Sequence, residues 1–140
     1  MMPDRHCVFC RIVGGEEPCL KLYEDRDSLA FMDKHPANDG HCLVVPKIHY
    51  ETIFEMPPEG FASVARTAAK LAQGVRRALH PGGMNLVQAN GAIAGQSVMH
   101  VHVHVLPRRT GDTMAINWPR TNPADPVRLA ELAALIRGQL

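Results

Sequence analysis

The chain lacks an excess of charge of either sign. Fifteen Lys and Arg stand against fourteen Asp and Glu, a formal net charge of +1. The broad basic surface that holds nucleic acid through its phosphates is therefore missing, and no nucleic-acid partner is expected. Long apolar runs are missing too. Stretches such as Leu43-Val44-Val45 fall far short of the ~20 apolar residues of a membrane span. The opening Met1-Met2-Pro3-Asp4-Arg5-His6-Cys7 has no apolar core of a secretory signal, so a cytoplasmic location is the default expectation. No internal repeat or linker divides the 140 residues, a length that suits one domain over 1–140. With 46% hydrophobic and 21% charged residues, the composition is that of a folded globular chain.

Periodicity suggests an α+β domain. Residues 7–12 form a compact, partly apolar opening that runs into the Gly14-Gly15 turn. Alternating apolar residues predict strands over 20–23 and 28–33 around an acidic turn at 24–27, and a buried strand over 41–45 that Pro46 stops. From Pro57 a long helix carries Phe61, Val64, Ala68, Leu71, Val75 and Leu79 at helical spacing until Pro81-Gly82-Gly83. Strands follow over 84–89 and 98–106, then a proline-rich irregular stretch over 107–126 and a short amphipathic helix over 127–136. Strands at hairpin spacing with one long helix imply an antiparallel sheet of about five strands with the helix packed on it.

What is present in quantity is histidine, eight residues, with four cysteines at 7, 10, 19 and 42. In His100-Val101-His102-Val103-His104-Val105-Leu106 the period is two, which on a strand sends three imidazoles to one face, about 7 Å apart, and three valines to the other. The valines explain themselves as core. The imidazoles have three readings: a solvent-exposed face, a three-histidine metal site, or a phosphate-chemistry site with one ring as nucleophile and another as proton donor. The preceding loop Asn90-Gly91-Ala92-Ile93-Ala94-Gly95-Gln96-Ser97 favours the last, because glycines let backbone N–H groups approach an anion and Gln96 and Ser97 add side-chain donors. Cys7-x-x-Cys10 supplies half a metal site, while Cys19 and Cys42 read as small apolar residues.

The stretch from Ala94 to Leu106 resembles the signature of the histidine triad family of nucleotide hydrolases and transferases. Phe31-Met32-Asp33, Pro36, Gly40 through Lys47, and His49 also match. The resemblance spans roughly residues 7–118 and implies that family's five-stranded fold with one long helix and a short C-terminal helix. It implies that His102 attacks the α-phosphorus of a purine nucleotide, forming a covalent nucleotidyl-histidine that water then releases as the monophosphate. His104 and Ser97 would bond the phosphate and help protonate the leaving group. Gln96, the Gly95 backbone and Asn90 would hold the phosphate, and Asp33 the ribose hydroxyls. Phe9, Ile12, Phe31 and Leu43 would wall a slot for the base, with His41 behind the triad, orienting it. Lys34 has no assigned role, and His6, His35 and His80 are expected to have none.

The resemblance further implies a closed structural zinc site of Cys7, Cys10, His49 and His100, and a homodimer joined near the long helix. Ser97 and Trp118-Pro119 are similar to the phosphoramidase branch, while the segment from Leu106 to Asp112 is similar to the branch that splits dinucleoside polyphosphates, where Arg108 and Arg109 would add positive charge. The leaving group therefore stays open. The rival class is a non-catalytic, zinc-stabilised nucleotide-binding or protein-interaction module.

Overall fold

The computed structural model describes residues 4–116 and 122–140; Trp118 and Pro119 lie outside them. The elements run α1 (Val8–Val13), β1 (Lys21–Glu24), β2 (Ser28–Met32), β3 (Cys42–Pro46), α2 (Pro58–Leu79), β4 (Gly83–Val87), β5 (Val103–Arg108) and α3 (Pro126–Arg137), with a 3-10 turn at Ala92–Ala94. The five strands form one antiparallel sheet in the order β1-β2-β3-β5-β4. The expected α+β architecture holds, and no helix among the described residues is long and apolar enough to cross a membrane.

Both faces of the sheet's centre are covered. On one, Ala30, Val44, Val103 and Val105 pack with Val64 and Ala68 of α2. On the other, Leu29, Phe31, Leu43 and Val45 pack with Phe9, Cys7 and Cys10. Every residue of β3 is buried as a result, and the strand reads as a continuous apolar run rather than an alternation. The hairpin before β2 is held by Asp25, whose Oδ1 accepts from the N–H groups of Asp27 and Ser28. The buried Ser28 hydroxyl bonds Thr67 of α2 at 2.7 Å, joining helix to sheet.

Several boundaries differ from expectation. The opening segment is a helix, α1, capped by Cys7 Sγ, which accepts from the Cys10 N–H at 3.4 Å. Pro46 is the last residue of β3 rather than its stop. The last strand starts at Val103, not Val98, because the preceding segment leaves the ladder: Val101 N–H bonds the Tyr50 carbonyl at 2.7 Å. Pro107 sits inside β5, beyond the last β3 partner at Val105, where its missing N–H costs no ladder bond with β3. The alternation of 101–105 does hold, placing valines with α2 and imidazoles towards α1.

Candidate functional site

Two polar clusters lie side by side on the α1 face. The first joins Cys7 and Cys10 at the start of α1 with His49, after β3, and His100. Their four donor atoms fall within 4.8 Å of one another. His100 Nδ1 is 3.4 Å from Cys7 Sγ, 3.5 Å from Cys10 Sγ and 3.1 Å from His49 Nδ1, which is itself 3.2 Å from Cys10 Sγ. A tetrahedron with zinc–sulfur bonds of about 2.3 Å and zinc–nitrogen bonds of about 2.0 Å has edges of roughly 3.3–3.8 Å, so the donors already stand near the separations such an ion requires. His100 Nε2 lies 2.8 Å from the Pro46 carbonyl and donates to it, which turns the Nδ1 lone pair towards the sulfurs. Burial pushes the Cys10 thiol up to about 11 and His100 down to about 4. Ligation as thiolate therefore releases a proton, making metal affinity rise with pH.

The second cluster joins Asp33, after β2, His41, before β3, and His102 and His104. Its tautomers follow from its partners. Ala37 N–H donates to His41 Nδ1 at 3.0 Å, so the neutral ring carries its hydrogen on Nε2. That hydrogen reaches His104 Nδ1 at 2.9 Å, with Asp33 Oδ2 3.4 Å from His41 Nε2. His104, accepting at Nδ1, presents its own hydrogen at Nε2. His102 runs the opposite way: Nδ1 donates to the His100 carbonyl at 2.7 Å, leaving the Nε2 lone pair free. A hydrogen donor and a nitrogen nucleophile thus stand on neighbouring rings whose centroids are 4.9 Å apart, closer than the spacing expected of a regular strand. Asp33, His41 and His104 are compact enough to suggest a metal, but His41 Nε2 has no lone pair to give in this tautomer.

Electrostatics keep these rings neutral. Burial lowers His41 and His102, and burial aided by His102 and His41 brings His104 down to about 4. Neutral imidazole is the nucleophilic form.

The second cluster opens into a cavity of about 750 Å³ walled by Phe9, Ile12, Phe31 and Leu43 and floored by Asp33, Ser97, His102 and His104. Its volume falls in the range typical of small-molecule sites. Phe9 contacts both Phe31 and His102 edge-on, with centroids 5.7 and 5.1 Å apart. The exposed Ser97 makes no hydrogen bond to another described residue, so its hydroxyl is available to a ligand. Lys34, the only Lys or Arg among the described lining residues, together with Glu17, Cys19 and His35, completes the wall. The sequence assigns no role to His35 or Glu17, yet both line the cavity.

Three expected phosphate ligands are placed differently. Gln96 is buried, and its Nε2 donates to the Glu51 and Val98 carbonyls while Oε1 accepts from Gly91 N–H. With both amide hydrogens engaged, its side chain shapes the loop rather than facing the cavity. Gly95 N–H is bonded to the Ala92 carbonyl at 3.0 Å, and its φ of +94° explains the glycine. Asn90 Oδ1 accepts from Ile53 N–H at 2.8 Å and from Gln88. None of the three lines the cavity.

Arg108 and Arg109 are also engaged elsewhere. Arg108 grips Asp112 through Nε and Nη2 at 2.8 and 2.7 Å and reaches Asn85 and the Met114 carbonyl. Arg109 donates to the Asp39 carbonyl.

The family model for the HIT domain matches residues 14–111. The chain belongs to the histidine triad family. Among relatives of this HIT chain, the Arabidopsis thaliana adenylylsulfatase HINT3 is 42% identical over 108 residues, covering 77% of this chain and 55% of the plant protein. The chain thus spans little more than half the length of that relative. An adenosine 5'-monophosphoramidase of Schizosaccharomyces pombe is 37% identical over 96% of this chain and 98% of its own. Among solved structures, a Bacillus subtilis HIT family protein superposes with TM-score 0.92 at 36% identity, covering 97% and 98% of the two chains. A zinc-bound histidine triad protein of Mycobacterium smegmatis does so with TM-score 0.74 at 36% identity, covering 92% and 96%.

Proposed function

We propose that this HIT protein is a nucleotide hydrolase that cleaves at the α-phosphate of a purine nucleotide through a covalent nucleotidyl-His102, and that its leaving group is an amine. The observation that carries the reaction is the pair of opposed tautomers: a free Nε2 lone pair on His102 beside an Nε2–H on His104, at the floor of an apolar cavity. His102 Nε2 attacks the α-phosphorus as the bond to the leaving atom breaks. The departing atom takes its proton through Ser97 Oγ and His104 Nε2, which receives one from bulk water as it gives one up, so the ring stays neutral. In the second half a water oxygen attacks the phosphorus, the phosphorus–His102 bond breaks, and the water's proton leaves along the same pair. Asp33 meets the ribose hydroxyls and Phe9, Ile12, Phe31 and Leu43 hold the base, while Gln96, Gly95 and Asn90 shape the phosphate loop from behind. His41 orients His104.

The choice of an amine over a polyphosphate rests on charge. Arg108 and Arg109 are bonded to Asp112, Asn85 and backbone carbonyls away from the cavity, which leaves Lys34 as the one cation on the described wall. A long polyphosphate would meet little compensating charge. The phosphoramidase name of the fission yeast relative points the same way.

Cys7, Cys10, His49 and His100 would hold a structural zinc ion, which supplies a crosslink between α1 and the sheet. The same reading includes a homodimer, supported by Leu79 of α2 and Leu86 of β4, which are 43% and 53% exposed.

The test is turnover of an adenosine 5'-phosphoramidate and a diadenosine polyphosphate by purified protein, with acid-labile nucleotidyl-protein trapped by rapid quench. Adduct on His102 and a higher kcat/KM for the phosphoramidate are expected. Absence of turnover on both would leave a binding module.

A further inference from the structure

The loop over residues 33–41 does two jobs at once. It walls the cavity through Asp33, Lys34 and His35, and its Ala37 N–H fixes the His41 tautomer. The loop contains no regular element, and it is pinned at its far end by side chains outside the cavity. Asn38 Nδ2 donates at 3.0 Å to the Pro107 carbonyl of β5 and at 3.0 Å to Asp112 Oδ2. The same carboxylate oxygen accepts from Arg108 Nε at 2.8 Å and from Arg109 N–H at 3.0 Å. The Asn38 carbonyl in turn accepts from His41 N–H at 3.1 Å. Asp112 thus ties the outer end of β5, the strand that carries His104, to the loop that carries His41.

We propose that Asn38 and Asp112 are positioning residues whose tether decides which nitrogen of His104 carries its hydrogen. The line of bonds has one branch, at His41 Nε2, where His104 Nδ1 at 2.9 Å is nearer than Asp33 Oδ2 at 3.4 Å. Asn38 places the peptide of Ala37; that N–H requires a lone pair on His41 Nδ1; His41 must then donate from Nε2; His104 must accept at Nδ1 and present Nε2–H to the cavity. Released from Asn38, the loop lets Ala37 N–H move off the ring. His41 can then carry its hydrogen on Nδ1, and His104 no longer has a donor facing it. Its hydrogen then divides between the two nitrogens, and the cavity loses part of its donor. The Arg-Arg-Thr-Gly-Asp stretch, expected to add charge beside a polyphosphate, acts here as the frame of this tether.

The inference rests on the reaction proposed above, but its first readout does not need that reaction. Ring nitrogen-15 shifts of His41 and His104, measured on the full protein without substrate, should show a single tautomer in the parent and a mixture in Asn38→Ala. In the same variant kcat should fall about tenfold to a hundredfold with KM changed less than about threefold, as for an interaction made mainly in the transition state. The fall should be steeper for an alkylamine leaving group than for an aryloxide, which departs without a proton. Asn38→Ser keeps one short donor and should lie between the two; it serves if the alanine variant folds poorly. An unchanged tautomer with reduced kcat overturns the proposal, as does an equal loss for both leaving groups. A mixed tautomer in a protein whose parent turns over neither substrate supports the tether and overturns the reaction.

Discussion

The two histidine clusters are built from the same residue type on the same sheet face, yet their wiring is opposite. In the Cys7-Cys10-His49-His100 set, lone pairs converge: His100 gives its hydrogen outward to Pro46 and turns Nδ1 inward to the sulfurs. Without a cation only weak thiol-to-imidazole hydrogen bonds hold such a set together. In the Asp33-His41-His102-His104 set, donors and acceptors alternate, and the last hydrogen and the last lone pair face the cavity. One cluster is closed on itself; the other ends in open valences that face the cavity. His100 belongs to both, since its ring serves the first while its carbonyl holds His102 for the second.

The largest effect that separates the clusters is on turnover. His102→Asn should lower kcat by about 10⁴-fold or more while zinc content and nucleotide binding stay as in the parent; a variant retaining a tenth of the parental rate refutes the assignment. Next is stability. Elemental analysis of protein purified without added metal should find about one zinc per chain. Cys10→Ser or a strong chelator should then lower stability by several kcal/mol, seen as a fall in Tm, with the specific activity of the folded fraction held within about tenfold. Equal melting curves with and without chelator would remove the metal centre.

Acid should act on the reacting cluster more gently. Burial brings His104 from 6.5 to about 4, so the unfolded chain takes up the proton first as pH falls. Stability from the neutral ring is complete above about 6.5, is lost progressively below it, and reaches its full loss near 4. A Tm series from pH 8 to 4.5 should decline through this window, and His104→Phe should flatten the decline. The smallest effects concern specificity. A 2',3'-dideoxyadenosine substrate should lose about tenfold to a hundredfold in kcat/KM by leaving Asp33 without its donors. Adenosine and guanosine versions should agree within about tenfold, because an apolar slot reads base area rather than edge groups. Rejection of guanosine by a thousandfold would point to Glu17 or His35 as a reader of the base edge.

What was legible in the sequence is what rests on side-chain periodicity. The alternation of histidine and valine over 100–105 placed the valines against α2, and the spacing of Phe61, Val64, Ala68 and Leu71 marked α2 itself. The cysteine and histidine ligand set came from a family resemblance, and the structure brings all four together. What was hidden depends on backbone partners far away in sequence. Gln96 reads as a free donor until the Glu51 carbonyl is seen beside it. Asn90 reads so until Ile53 N–H is placed. Arg108 and Arg109 read as charge for a substrate because Asp112 and the Asp39 carbonyl show no sign, in isolation, of meeting them. The α1 helix is only six residues long, and its cap is a cysteine rather than Ser, Thr, Asp or Asn.

The doubly covered centre of the sheet has a consequence for how the chain folds. Sliding β3 by one residue would exchange Val44 for Leu43 or Val45 on either face, and both faces would still bury an aliphatic side chain; apolar patterning alone discriminates poorly between such alignments. Polar groups do discriminate. A slipped β3 would carry His41 away from His104 and the Pro46 carbonyl away from His100, leaving those polar groups unpaired. The imidazoles therefore act as an alignment key during assembly of the sheet, so that the residues gathered at the candidate site also select the one strand pairing in which that site exists.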